Sequence, residues 1–185
     1  MLRSIDQATW IGKRNYLIIA MLWTLGLRLN ELTSLKVSSF EPEHDPQNRI
    51  GLLRVHGKNK RQRALFIVDK LYDTLTSYLE HPQSPRKKSD PLFPIQGGKA
   101  ISNNRVQRMI KEYAQKANIK ERITPHVLRH SFATEMYHQN VPLSAIQSML
   151  GHSSIAETSI YIHVSDRLQK QALEKITIEG RLSWL

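Results

Sequence analysis

The sequence predicts a mainly α domain with a small antiparallel β-sheet, an α+β class. Most apolar residues recur at helical spacing along the chain. Two short stretches, residues 50–57 and 64–68, instead read as strands. A brief basic turn separates them, which makes an antiparallel hairpin.

The elements follow in order. Residues 13–25 place Leu17, Ile18, Met21, Leu22 and Leu25 on one helical face, and Gly26 fits the position just past the end. NELTSLKV, from residue 30, reads as a short helix. IGLLRVHG (50–57) and ALFIV (64–68) are the two strands, joined by KNKRQR. Asp69 suits a cap for a helix over residues 70–80, and HPQSPRKKSDP (81–91) is a polar, Pro-containing loop. Residues 103–117 carry Val106, Ile110, Tyr113 and Ala114 on one side of a further helix. Thr124-Pro125 is a cap followed by Pro at the first helical position, opening a helix to Gln139. Pro142 to Leu150 form the next helix, ended by Gly151. Ser154 and Glu157 fit a capping box for a helix carrying Tyr161, and a last helix covers 166–176. No internal repeat, low-complexity tract or second domain is visible.

Composition narrows the function. The chain has 185 residues, enough for one domain with a core. Lys and Arg number 27 against 16 Asp and Glu, a net charge of +11 that favours a polyphosphate partner, nucleic acid above all. There is no cysteine, which excludes disulfide scaffolds and thiolate metal sites. The longest apolar run, YLIIAMLW (16–23), is far too short for a membrane span, and MLRSIDQ lacks a signal-peptide pattern. The expectation is a cytoplasmic protein with no membrane partner.

Four stretches carry candidate chemistry. In TPHVLRHSFAT (124–134), His126 and Arg129 lie three apart on one helix face near its N-terminus, where side chains and free N–H groups favour a phosphate. The alternative is an ordinary surface pair. His126 and His130 have the spacing of paired zinc ligands, but the glutamate of HExxH is missing and Arg129 would crowd the metal. The EPEHD stretch (41–45) reads as a solvated loop. No carboxylate set has two-metal spacing, so no metal or other cofactor is expected.

In TLGLRLNELTSL (24–35), Arg28 sits among Leu27, Leu29 and Leu32, a costly setting unless it meets an anion. Glu31 could orient it, or the two could form a plain surface pair. In RVHGKNKRQRALF (54–66), five of the ten residues from 54 to 63 are Lys or Arg. On a hairpin this is a basic finger able to reach DNA, with Lys60, Arg61 and Arg63 as contacts. Lys58, directly after Gly57, could bind phosphate or donate a proton, or the whole turn could be simply solvated. LGHSSIAETSIYIHV (150–164) holds His152, Tyr161 and His163, with packing as the ordinary fate of such a tyrosine.

Taken together and in this order, TLGLRLNEL, HGKNKRQR, TPHVLRHSFAT and LGHSSIAETSIYIHV resemble the tyrosine recombinase or phage integrase family, and within it the Xer-type integrases. The resemblance spans roughly residues 12 to 166. It implies the family's mostly helical catalytic domain with a three-stranded sheet. It also implies roles. Tyr161 attacks a DNA phosphodiester to give a 3′-phosphotyrosyl enzyme and a free 5′-hydroxyl. Arg28 and Arg129 clamp the non-bridging oxygens, His126 assists them, and His152 hydrogen-bonds the phosphate from the other side. Lys58 protonates the departing 5′-oxygen. His163 is left as a structural partner or DNA contact. The implied partner is double-stranded DNA, bound by a homotetramer.

This chain departs from the family pattern in two ways. Asn59 stands where the hairpin commonly has a second glycine; Asn tolerates left-handed backbone, and Lys60 becomes a rival to Lys58 for the acid role. The N-terminal core-binding domain of full-length members is also expected to be missing, this chain being either a fragment or a naturally short member, so residues 1–185 are expected to be a single catalytic domain with weak, unselective DNA binding of its own. Residues 167–185, with Leu168, Ala172, Ile176, Leu182 and Trp184, either dock on a neighbouring protomer or fold back. Two other functions compete: a type IB topoisomerase, which shares the cleavage chemistry, and a non-catalytic helix-turn-helix module over residues 143–163.

Overall fold

A computed structural model describes residues 1–42, 49–57 and 62–151. The helices are α1 (Trp10–Leu25), α2 (Leu29–Thr33), α3 (Asp69–Glu80), α4 (Asn103–Lys116), α5 (Pro125–His138) and α6 (Leu143–Leu150). The strands are β1 (Phe40–Pro42), β2 (Ile50–His56) and β3 (Gln62–Val68), and short 3-10 turns cover Leu2–Ser4 and Val37–Ser39. The chain divides into two compact units, Met1–Ala133 and Thr134–Leu185.

The mainly α architecture with a small antiparallel sheet is the one the sequence predicts. In the first unit, α1 is the central element. Its expected face of Leu17, Ile18, Met21, Leu22 and Leu25 is buried, and so are Ile19 and Ala20. A helix apolar nearly all round belongs inside a domain, and α1 packs against α2, α3 and the first 3-10 turn. Thr9 caps it, its hydroxyl accepting from the Gly12 N–H at 3.0 Å. Gly26 ends it with φ 58, a left-handed conformation that glycine adopts at no steric cost.

The sheet has the order β1-β2-β3, antiparallel throughout. Leu53 pairs with Leu65 and Val55 with Arg63. Leu53, Val55, Leu65 and Ile67 are buried by strand alternation, while Arg54, His56, Phe66 and Val68 are exposed. Strand β1 corrects the reading of EPEHD as a loop throughout: Glu41 and Pro42 pair with Leu52 and Gly51. Proline is tolerated there because β1 lies at the sheet edge. Helix α3 packs on β2 and β3 and begins at Asp69 itself, whose N–H donates to the Arg49 carbonyl.

Helix α2 stops at Thr33, short of the helix expected to run on through Val37. The chain instead turns so that Leu35 is buried and its carbonyl accepts from the Leu92 N–H. Ser102 caps α4 by accepting from the Arg105 N–H at 3.3 Å, and Val106, Met109, Ile110 and Ala114 form its buried face. Thr124 caps α5, accepting from the Val127 N–H at 3.2 Å. In the second unit, α6 buries Ile146 and Leu150 and ends at Gly151 with φ 61. Among the described residues no helix is long and apolar enough to cross a membrane. The helices expected around Tyr161 and over 166–176 lie outside the described residues.

Candidate active site

Two of the predicted functional cations are delivered to the two ends of one short turn. Arg28 is the N-cap residue of α2, immediately after the turn that closes α1. Its backbone N–H donates to Glu31 Oε2 at 2.7 Å, and its Nη1 meets Glu31 Oε1 at 3.2 Å. The Arg28 side chain is 36% exposed and Glu31 only 3%. The sequence expectation that Glu31 orients Arg28 therefore has a geometric form: the carboxylate is fixed and the guanidinium reaches outward from it.

Arg129 arrives from the first turns of α5. It is 6% exposed, and its Nη1 donates to the Gly26 carbonyl at 2.5 Å. The last carbonyls of a helix lack intrahelical partners and carry the negative end of its dipole. A guanidinium is a fitting partner for one of them. Arg129 is thus anchored at Gly26, two residues before Arg28, although 101 positions separate the two arginines in sequence (129 − 28). His126, one helical turn earlier on α5, is exposed.

Glu31 has a second arginine that the sequence did not reveal as its partner. Arg63 Nη1 meets Oε1 at 2.8 Å and Nη2 meets Oε2 at 2.9 Å, a two-pronged pair. The Arg63 side chain is 12% exposed. Burial pushes the Glu31 pKa upward and is the largest single influence. The Arg63 hydrogen bonds, the Arg28 N–H, the Arg63 charge and the Arg28 side chain together outweigh it, so the carboxyl lies below its usual value and is ionised. No simple spacing links residues 31 and 63, so only the fold could show the pair.

The basic finger is partly spoken for in the same way. Arg54 holds Glu41 across β1 and β2, with Nε and Nη2 at 2.8 and 2.9 Å. Lys58, Lys60, Arg61, His152, Tyr161 and His163 lie outside the described residues. Gly57 and Gln62, which flank the turn, are described, so the base of the hairpin is placed. Among the described residues no group of three or more His, Cys, Asp or Glu side chains gathers to hold a metal.

A cleft of about 720 Å³ lies elsewhere, lined by Trp10, Arg14, Asp90, Ile95 and Arg105 among others, and by none of the predicted site residues. Arg14 there is 4% exposed, donates to the Pro94 carbonyl at 2.8 Å and sits over the Trp10 ring. These contacts tie α1 to the loop before α4.

Comparison with known proteins identifies the family. The model of the phage integrase family matches residues 2–167. The chain belongs to the phage integrase family. Tyrosine recombinase XerD of Staphylococcus epidermidis is 37% identical over 157 residues, covering 83% of this chain and 51% of that protein. XerD of Staphylococcus aureus is 39% identical over 158 residues, with the same coverage. The integrase-family chain thus spans about half the length of these curated relatives.

Among solved structures, XerH recombinase bound to palindromic difH substrate in a post-cleavage complex superposes with a TM-score of 0.77 at 29% identity. That match covers 92% of this chain and 49% of the other. XerA recombinase gives 0.75 at 30% identity, covering 95% and 63%. The fold is that of tyrosine recombinase catalytic domains, and neither the topoisomerase reading nor the non-catalytic helix-turn-helix reading is favoured.

Proposed function

We propose that this chain is the DNA-cleaving and rejoining part of a site-specific tyrosine recombinase. The observation that carries the reading is the convergence of Arg28 and Arg129 on the turn at residues 26–28, each held by a defined partner.

The chemistry explains the residue types. Attack of the Tyr161 phenol oxygen on a DNA phosphorus forms one P–O bond as the bond to the 5′-oxygen breaks. The phenol gives up its proton, and the 5′-oxygen gains one. Negative charge builds on the non-bridging oxygens in between. Cationic donors already in place stabilise that charge without reorganising, and each is worth on the order of 10²- to 10³-fold in rate. Guanidiniums suit the task because their planar forks match phosphate oxygens and stay charged at all relevant pH. Arg28 and Arg129 are assigned to those oxygens, with His126 assisting and His152 on the far side. Lys58 is the acid for the 5′-oxygen, with Lys60 its rival. The phosphotyrosyl bond conserves the energy of the phosphodiester, so a different strand's 5′-hydroxyl can reverse the step.

The partner is double-stranded DNA, in keeping with the net charge of +11 and with the DNA-bound state of the related XerH. Lys60, Arg61 and Arg63 are assigned to DNA contact by the charge of the finger. Assembly as a homotetramer follows from the same reading, because exchange needs paired sites. The segment 167–185 is the candidate for contact between protomers. Residues 1–185 act as one catalytic domain in the cytoplasm.

The test is covalent capture. The chain is incubated with a pool of nicked duplexes of randomised sequence, in EDTA, and resolved on a denaturing gel. A protein–DNA adduct formed by the unaltered chain and abolished by Tyr161→Phe is the expected result. An adduct that persists in Tyr161→Phe, or one that requires a divalent metal, refutes the assignment.

A further inference from the structure

Charge alone assigns Arg63 to the DNA, but the geometry points to a different task. We infer that Arg63 is a positioning residue that ties the start of β3 to Arg28 through Glu31. This rests on the cleavage reading above and names a further part of its machinery.

Three facts carry it. First, Arg63 is nearly buried and commits both terminal nitrogens to Glu31, at 2.8 and 2.9 Å. A phosphate-seeking arginine has no need of a buried carboxylate. Second, the same two oxygens hold Arg28 twice, at its backbone N–H and at Nη1. One carboxylate therefore fixes the start of α2, the Arg28 side chain and the hairpin together. Third, Arg63 is the second residue of β3, paired with Val55, directly after the turn that carries Lys58 and Lys60. Arg63 follows Lys58 by five positions and Lys60 by three (63 − 58 and 63 − 60), so a shift of the start of β3 is passed along the chain to them.

The two-pronged geometry matters. Parallel N–H···O bonds from a planar fork fix direction as well as distance, whereas a lysine offers a single flexible point charge. A general acid must reach the departing oxygen within hydrogen-bond distance, and a displacement of about 1 Å can cost on the order of 10²-fold in rate. Losing the fork should therefore harm protonation of the 5′-oxygen more than clamping of the phosphate.

A substrate that needs no acid separates these. The duplex recovered in the capture experiment is made twice, with an ordinary phosphodiester and with a 5′-bridging phosphorothiolate at the scissile position. The thiolate leaves without being protonated. Single-turnover adduct formation is measured at saturating DNA for the unaltered chain, Arg63→Ala, Arg63→Lys and Arg28→Ala. The expected result is that Arg63→Ala cleaves the phosphodiester on the order of 10²-fold more slowly and regains most of the loss on the phosphorothiolate. Arg63→Lys should behave like Arg63→Ala, and Arg28→Ala should gain nothing. The comparison is made within each variant, so a partly unfolded sample lowers both rates alike and leaves the ratio intact. Equal loss on both substrates overturns the inference, as does an unchanged rate or a defect in DNA affinity alone. If the unaltered chain forms no adduct with either duplex, the cleavage reading fails first and this assignment falls with it.

Discussion

Gly12 offers a test in which two physical effects have opposite signs. It lies in the first turn of α1, buried, with its N–H held by the Thr9 hydroxyl. Helix propensity alone says that alanine should replace it with a gain of about 0.5–1 kcal/mol. The surroundings say otherwise. A Cβ built at this position would lie 1.7 Å from the backbone oxygen of Asp6 and 2.9 Å from its carbonyl carbon. The obstacle is main chain, which cannot rotate away as a side-chain tip would.

Moving that segment disturbs the cap as well, because the Thr9 Oγ1 lies 3.1 Å from the same Cβ. Overpacking of this kind costs about 1–3 kcal/mol and exceeds the propensity gain. With main chain as the obstacle the overpacking cost falls in the upper part of that range, about 2–3 kcal/mol, and set against a propensity gain of about 1 kcal/mol it leaves Gly12→Ala less stable by a net of about 1–2 kcal/mol. For a chain of this size that is a fall in Tm of roughly 2–8 °C. Thermal and urea unfolding followed by circular dichroism give the sign directly. A melting point that rises or stays level would mean that residues 6–9 yield at little cost, and the close-packed entry to α1 argued above would be wrong.

Two further outcomes concern the site. Glu31 has its pKa lowered in the folded chain, so it contributes stability that is present above its unfolded pKa and is lost as pH falls through the folded value. Glu31→Gln should therefore be less stable at neutral pH and show a flatter loss in the acid range, read from urea midpoints against pH. Identical slopes for the two proteins would dismiss the carboxylate as the source. Thr124→Ala removes the cap of α5 and should cost about 1 kcal/mol, a fall in Tm of roughly 2–4 °C. Thr124→Ser should keep most of the stability, and equal losses in both variants would mean that the hydroxyl is not acting as the cap.

The helices were legible in the sequence because their signals are local. Gly26 and Gly151 stop helices where expected, and Thr124-Pro125 starts one. What was missed depends on partners distant in the chain. Strand β1 has three residues, one of them proline, and forms because β2 offers it an edge. Ile19 and Ala20 spoil the neat face predicted for α1 because other elements surround that helix, which no single-helix pattern reports. The motifs picked out Arg28 and Arg129, but the oxygens that hold them were only half visible. Glu31 is three residues from Arg28, whereas Gly26 lies 103 residues from Arg129 and Glu31 lies 32 from Arg63.

Those distant pairs explain why the turn at residues 26–28 matters beyond the arginine it contains. Ending α1 with a left-handed glycine frees a carbonyl at the negative end of the helix, and Arg129 takes it. Leu27, 1% exposed, pins the turn to the core. Arg28 then caps the next helix, and the third residue of that helix is the glutamate that holds it. Each cation is therefore oriented by an acceptor that belongs to a helix terminus. Helix termini are rigid where the helices behind them are buried, as α1 is. A site for a doubly liganded phosphate needs its donors fixed before the anion arrives, since any reorganisation would be charged against the rate. With Arg129 held by the Gly26 carbonyl and Arg28 by the Glu31 carboxylate, the two guanidiniums proposed for that phosphate are both held in advance.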